Sequence, residues 1–164
     1  MNRGVVRAAI AIIGVAGLVA GTAVASPKSK DVFVGTWTLN VAKSKFDPGP
    51  AFGSGKVTGE AVKGGAKYTV DATMADGRAV HFSYAGAADG SEMAVTGAPN
   101  FDSVSVIRPD RKTLIRTERR GGKIIGNTIA TLAADGKSFT AESRGTNPAG
   151  QKYHNITVWE RTKH

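Results

Sequence analysis

The side chains that most often carry catalysis or bind metals are few and scattered in this chain. The sequence has no cysteine and three histidines, His81, His154 and His164, which are not spaced as metal ligands usually are. No serine lies in a recognisable nucleophile turn, and no glycine-rich phosphate loop stands between a strand and a helix. Asp71 and His81 are a pair that folding could bring together with a hydroxyl. The sequence therefore predicts no catalytic residue, no metal and no cofactor.

Positive charge is the other chemical feature of the chain. The net charge is +9, and seven basic residues against two acidic ones lie between Arg108 and Lys123. A turn in this stretch would concentrate the charge at one end of the fold, where it could meet lipid phosphates or an anionic polysaccharide. Nucleic acid is not expected, because no aromatic side chains alternate with the charges. A solvated loop that keeps the protein soluble is the simpler interpretation.

Residues 1–25 have the composition of a secretory signal peptide. Arg3 and Arg7 precede an uncharged apolar segment, and Ala23-Val24-Ala25 supplies the small residues that signal peptidase requires. An uncleaved membrane anchor is the alternative, since residues 8–25 carry no charge. The small residues favour cleavage after Ala25, and we expect a periplasmic or secreted protein.

The rest of the chain is predicted to form one domain. Its length suits a single core, and without cysteines that core must be stabilised by apolar packing. Residues 26–31 are polar and lack periodicity, which predicts a flexible leader before a domain over 32–164.

Short alternating runs dominate the domain and predict an all-β fold. Dipeptides such as Asp76-Gly77 and Asp135-Gly136 separate many of the runs and favour tight hairpins. The Pro- and Gly-rich stretch at 42–56 is predicted to be a long loop. We expect about eight to ten antiparallel strands in an up-and-down meander that closes into a barrel, because closure removes exposed edges.

An aromatic face marks the first run, DVFVGTWTLN at residues 31–40. Phe33, Gly35, Trp37 and Leu39 share one side of the predicted strand. A glycine two residues before a tryptophan removes a side chain from that face, so another group can approach the indole ring closely.

The motif VGTWTLN, the hairpins throughout and the final TVWERTK at residues 157–163 resemble the lipocalin-like secreted proteins of bacteria. These belong to the calycin group, with the lipocalins and fatty-acid-binding proteins. The resemblance covers the chain after the leader. It implies that Trp37 closes one end of the barrel, that Gly35 leaves room there, and that Arg161, or alternatively Lys163, packs across the indole.

The resemblance fails at one point that bears on function. Fatty-acid-binding proteins carry an Arg-x-Tyr on the last strand that grips a carboxylate, and this chain has Thr157 and Trp159 at the corresponding positions. A fatty acid is therefore not implied, although another small hydrophobic molecule is compatible with the resemblance.

Alternation also selects candidate ligand-binding residues inside the predicted barrel. Arg116 shares a face with Leu114 and is either a polar anchor for a ligand or a residue at a solvated edge. The full set of candidates is Phe82, Tyr84, Tyr68, Arg116 and Phe139.

Two classes of function remain open at this point. A mostly apolar lining with a few hydroxyls suits a small hydrophobic or amphipathic ligand and no catalysis. The alternative is an envelope-associated interaction or stress protein that uses the basic patch at 108–123 and has no ligand cavity. The presence of a cavity separates the two classes, and the sequence does not indicate an oligomeric state.

Overall fold

The computed structural model describes residues 31–49 and 51–162. The predicted signal peptide, most of the predicted leader and Lys163 lie outside these residues. Within them, no helix has the length and apolar character needed to cross a membrane.

Ten antiparallel strands form one continuous sheet, which confirms the predicted all-β meander. The strands are β1 (Gly35–Asp47), β2 (Phe52–Val62), β3 (Gly65–Met74), β4 (Ala79–Gly86), β5 (Asp89–Ala94), β6 (Ser103–Ile107), β7 (Thr113–Arg120), β8 (Lys123–Leu132), β9 (Ser138–Thr146) and β10 (Lys152–Arg161). Each strand pairs with its neighbours in sequence except across the β4–β5 step, and β1 pairs with β10.

The sheet curves into a nearly closed barrel whose seam lies between β4 and β5. Ser83 of β4 and Thr96, just after β5, exchange two backbone hydrogen bonds of 2.9 Å. The segment that follows β5 also covers the seam, because the ring of Phe101 packs edge-on against Phe82 with 5.1 Å between centroids. One bridge and an aromatic contact therefore complete the wall.

Local turn chemistry explains why the hairpins form where the sequence predicts them. Gly77 and Gly136 have φ values of 86° and 68°, in the left-handed region that glycine adopts without strain. Asp76 and Asp135 precede these glycines, and their carboxylates accept backbone hydrogen bonds two residues ahead, at 3.1 and 2.9 Å.

The predicted loop over 42–56 is wrong, because strand pairing continues through most of it. β1 extends to Asp47 and β2 begins at Phe52. A bulge between Asn40 and Lys45 absorbs the irregular sequence, and the Ser44 hydroxyl fills it by donating to the Asn40 carbonyl at 2.7 Å. Beyond the bulge, Phe46 packs edge-on against Phe52, which holds the ends of the two strands together.

Aromatic side chains fill the end of the barrel at which β1 begins, which we call the closed end. Trp37 is completely buried, and the Phe139 ring lies edge-on to it at 4.9 Å. Trp159 stacks on Phe139 with centroids 6.0 Å apart, and Phe33 packs on Phe139 from before β1. This cluster fixes the first and last strands against β9.

Candidate ligand pocket

The three residues that the resemblance assigns to the end of the barrel, Gly35, Trp37 and Arg161, lie together at the closed end. The Arg161 guanidinium is 4.0 Å from the centroid of the Trp37 ring, and it donates hydrogen bonds to the Val34 and Val32 carbonyls at 3.1 and 2.8 Å. A Cβ atom on Gly35 would lie 2.5 Å from Nη1 of Arg161. The missing side chain of Gly35 thus makes the space in which the guanidinium covers the indole.

A pocket of about 370 Å³ lies at the same end, between the β2–β3 turn, the β4–β5 turn and the end of β6. Its apolar wall includes Ala66, Met93 and Val106, and its aromatic wall is formed by Tyr68 and Tyr84. These residues project into the barrel because each lies on the buried side of its strand. Buried side chains therefore line one side of the pocket, and the exposed β2–β3 and β4–β5 turns line the other.

Three polar side chains form the charged corner of this pocket, which we call the Asp31 cluster: Asp31, Tyr68 and Arg108. The Tyr68 hydroxyl donates to Oδ2 of Asp31 at 2.9 Å, and Nη2 of Arg108 lies 2.5 Å from the same oxygen. Nη2 also donates to the Tyr68 hydroxyl at 2.8 Å. The Arg108 guanidinium lies 4.8 Å from the centroid of Phe33, so an aromatic ring supports its flat face.

Burial raises the pKa of Tyr68 above its ordinary value, and the neighbouring Asp31 carboxylate raises it further. The phenol therefore stays protonated across the physiological range and acts as a hydrogen-bond donor toward the pocket corner. The Asp31 and Arg108 side chains are 24% and 19% exposed, so both remain accessible from the pocket.

Arg116 lies inside the barrel and not at a solvated edge. Its Nη2 forms an ion pair with Glu118 at 2.6 Å, and its guanidinium lies within 6 Å of the Phe82, Tyr84 and Phe101 rings. Burial is the largest single influence and disfavours the charged form, but the interactions with Glu118 and Tyr84 together outweigh it, and the pKa of Arg116 is raised. Its charge is therefore already balanced within the wall.

Tyr153 reaches this interior ion pair through a gap made by two glycines. A Cβ atom would lie 2.8 Å from the Tyr153 hydroxyl if placed on Gly126, and 2.6 Å if placed on Gly145. The hydroxyl lies 3.5 Å from Oε2 of Glu118. Burial, followed by the charge of Glu118, raises the pKa of Tyr153 to about 12.

The remaining predicted site residues occupy different places. Tyr68 and Tyr84 line the pocket, and Phe82 packs one layer away against Arg116. Phe139 is enclosed between Trp37 and Trp159, in the closed-end aromatic cluster.

The Asp71–His81 pair lies on the outer wall. The two side chains are 2.6 Å apart and both are largely exposed to solvent. Among the described residues, no three His, Asp or Glu side chains group as metal ligands would.

The basic residues at 108–123 do not form one patch, contrary to the expectation from sequence. Two turns, not one, fall in this stretch, and β7 runs the length of the barrel between them. Arg111 and Lys112 therefore lie at the closed end, while Arg120 and Lys123 lie at the opposite end, about 25 Å away along an eight-residue strand. Arg116 lies between them and faces inward.

Asp31 and Arg108 are pocket residues that the sequence did not single out. Asp31 belongs to the predicted leader, yet its carboxylate also accepts the Phe33 backbone N–H at 2.9 Å. Strand alternation could have identified Arg108, because Arg108 has the same parity as the buried Val104 and Val106 of β6 and so falls on the inward face. Asp31 is in phase with Phe33 and Trp37 in the run that begins at residue 31, but the structure places it before β1, where strand alternation does not apply.

Comparison with known proteins adds little beyond this geometry. No protein-family model matches the sequence, and no curated protein matches it significantly. A redesigned β-barrel, mFAP1 bound to DFHBI, is 16% identical, covering 79% of this chain and 95% of its own, with a TM-score of 0.42. The zebrafish ileal bile acid-binding protein complexed with cholic acid is 10% identical, covering 80% of this chain and 99% of its own, with a TM-score of 0.46.

Scores of this size carry no argument about function. The class of the chain, a ten-stranded antiparallel up-and-down β-barrel, rests on its own strand order. The resemblance to bacterial lipocalin-like proteins stays a prediction.

Proposed function

We propose that this barrel binds a small apolar or amphipathic molecule in the closed-end pocket and catalyses no reaction. The observation that carries the proposal is the pocket of about 370 Å³, which combines an apolar wall with the Asp31 cluster at one corner. Ligand pockets typically measure about 300 to 1,000 Å³ and have a few polar groups in a mostly apolar lining. The size favours a compact ligand.

A pair of alanines on β3 allows the pocket to be tested against a matched control. Ala66 and Ala72 are both buried on the inner face of the strand, but only Ala66 is among the residues that line the pocket. Ala66→Leu should fill the pocket, whereas Ala72→Leu adds the same bulk near the other end of the strand.

The measurement is a titration with Nile red, a neutral apolar dye whose fluorescence rises in apolar surroundings. We expect saturable binding by the wild type and by Ala72→Leu, and loss of binding in Ala66→Leu while circular dichroism shows that all three are folded. Equal binding by the two variants would place the ligand elsewhere, and no uptake by the folded wild type would refute the proposal.

We also propose that residues 1–25 direct export and are removed after Ala25. The support is the sequence pattern alone: two arginines, an uncharged apolar segment and the small residues before Ser26. N-terminal sequencing of the protein recovered from outside the cytoplasm should begin at Ser26. A protein that still carried Met1 would contradict this proposal.

No second function is supported by the described residues as well as ligand binding is. The envelope-binding alternative needs the basic residues at 108–123 to act together, and β7 divides them between two ends.

A further inference from the structure

We infer that Asp31 occupies the site of a ligand's carboxylate, so that the segment before β1 acts as a built-in competitor for an anionic ligand of the closed-end pocket. This inference rests on the proposed function and adds to it the chemical class of the ligand, an apolar tail with a carboxylate head.

In the Asp31 cluster, the hydroxyl and the cation come from β3 and from the residue after β6, whereas the carboxylate comes from the chain before β1. Tyr68 lies within β3, and Arg108 follows directly after β6. Both donors converge on the same oxygen, Oδ2 of Asp31, which the chain places there from outside the sheet. Asp31 lies in residues 31–34, directly before β1, so the carboxylate site formed by Tyr68 and Arg108 is occupied by a side chain of the same chain.

The donors fit a second carboxylate in chemistry as well as in place. A guanidinium has five N–H donors in a planar fork and commonly binds carboxylates with two parallel hydrogen bonds. Among the described residues, the hydrogen-bond partners of Arg108 are all reached through Nη2. Arg108 thus keeps donors for a ligand head while Phe33 supports the flat face of the guanidinium.

Charge determines which ligands could take the place of Asp31. A neutral head that displaced Asp31 would leave Arg108, which is 19% exposed, without its counterion, and an unpaired charge in such a place is costly. A carboxylate head preserves the pairing. Because Asp31 already competes for the site, the apparent affinity for such a ligand is lower than the intrinsic affinity.

Removing the charge of Asp31 should therefore strengthen binding of an anion. Asp31→Asn keeps the shape and an oxygen that can accept the Phe33 N–H, but leaves the Arg108 charge unmatched. The probes are octanoate and octan-1-ol, which share an apolar chain and differ in charge, each titrated as a competitor of bound Nile red.

We expect Asp31→Asn to bind octanoate on the order of tenfold more tightly than the wild type, with octan-1-ol unchanged. The matched control is Asp76→Asn, which removes an exposed carboxylate paired with Arg78 at 2.8 Å on a distant turn and should alter neither affinity. Arg108→Met should weaken octanoate binding and leave octan-1-ol binding in place.

The possible results separate this inference from the proposed function. If octan-1-ol binds but Asp31→Asn does not favour octanoate, the inference is wrong and the pocket proposal stands. If neither probe displaces bound Nile red from the folded wild type or the folded variants, the inference is wrong and the pocket proposal stands, whereas absence of Nile red uptake by the folded wild type makes both wrong. If Asp31→Asn folds poorly, octanoate should raise its melting temperature more than octan-1-ol does, and the absence of that difference overturns the inference. Octanoate binding that is unchanged in Arg108→Met also overturns it.

Discussion

At the scale of single residues, the contact between Arg161 and Trp37 is the one whose strength can be measured most directly. The indole is completely buried, and the guanidinium lies 4.0 Å from its centroid while bonding to backbone carbonyls of the segment before β1. Packing and a cation–π attraction therefore act on the same pair.

Replacing each partner separates these contributions. Trp37→Ala should lower the free energy of unfolding by about 3 to 5 kcal/mol, because it leaves a large cavity in the closed end. Arg161→Ala should cost less, and the double variant should cost less than the sum, because the pair interaction is lost only once. Urea denaturation of the four proteins measures this coupling, and strict additivity would show that the contact contributes nothing.

Gly35 tests the space that the guanidinium needs. Gly35→Ala forces a Cβ atom to 2.5 Å from Nη1 of Arg161 at a φ of 135°. Gly77→Ala is the control, since φ there is 86° but no atom lies within 4 Å of the new Cβ. We expect the control to show only backbone strain of about 1 to 2 kcal/mol, and Gly35→Ala to lose more stability with a shift in Trp37 fluorescence. Equal losses at the two positions would mean that Arg161 moves aside freely.

At the scale of elements, the β4–β5 seam is joined differently from the other strand pairs. Ser83 and Thr96 make the single bridge there, whereas β2 and β3 are paired along nearly their full lengths. Fewer backbone hydrogen bonds must break to open the seam than to separate any paired strands.

Hydrogen exchange should therefore find the seam less stable than the wall. The amides of Ser83 and Thr96 donate across the bridge, and we expect them to exchange faster than the amides of Thr58 and Thr69, which face each other across the β2–β3 pair. Exchange followed by NMR provides the measurement. Protection equal to that of the β2–β3 pair would mean that the seam opens only on global unfolding.

Strand alternation accounts for most of what the sequence could predict at this scale. Trp37, Phe82, Tyr84 and Phe139 are buried on the faces that a period of two assigns them. The extension of β1 was not predictable, because Pro48 and the nearby glycines suggest a loop and only pairing with β10 reveals a bulged strand. The Asp31 cluster was also hidden, since Asp31 and Arg108 are 77 residues apart and meet only through the closed sheet.

At the scale of the whole molecule, stability at alkaline pH depends on a half-buried phenol, that of Tyr153. The pKa of Tyr153 is raised from 10.0 to about 12 by burial and by Glu118. Between these values the unfolded chain has lost a proton that the folded protein retains, so the free energy of unfolding falls as the pH rises. Below pH 10 both states hold the proton, and this contribution to stability is fully present.

Tyr153→Phe should remove one tyrosinate transition with a midpoint near pH 12 from the absorbance titration of the folded protein. Its free energy of unfolding should also fall less steeply above pH 10 than that of the wild type, because one late-titrating phenol is gone. If the wild type and the variant have the same titration curves, the Tyr153 hydroxyl is not held as the structure places it.

The two ends of the described chain are fastened side by side. The Thr162 amide donates to the Thr36 carbonyl at 2.9 Å, and the hydroxyls of Thr162 and Thr38 lie 3.0 Å apart. The barrel therefore does not depend on the chain beginning at β1. A short peptide could join these ends, and new termini could be placed at a tight turn such as Asp76-Gly77. Such a circular permutant would carry its new termini at the β3–β4 turn, at the end of the barrel opposite the closed end.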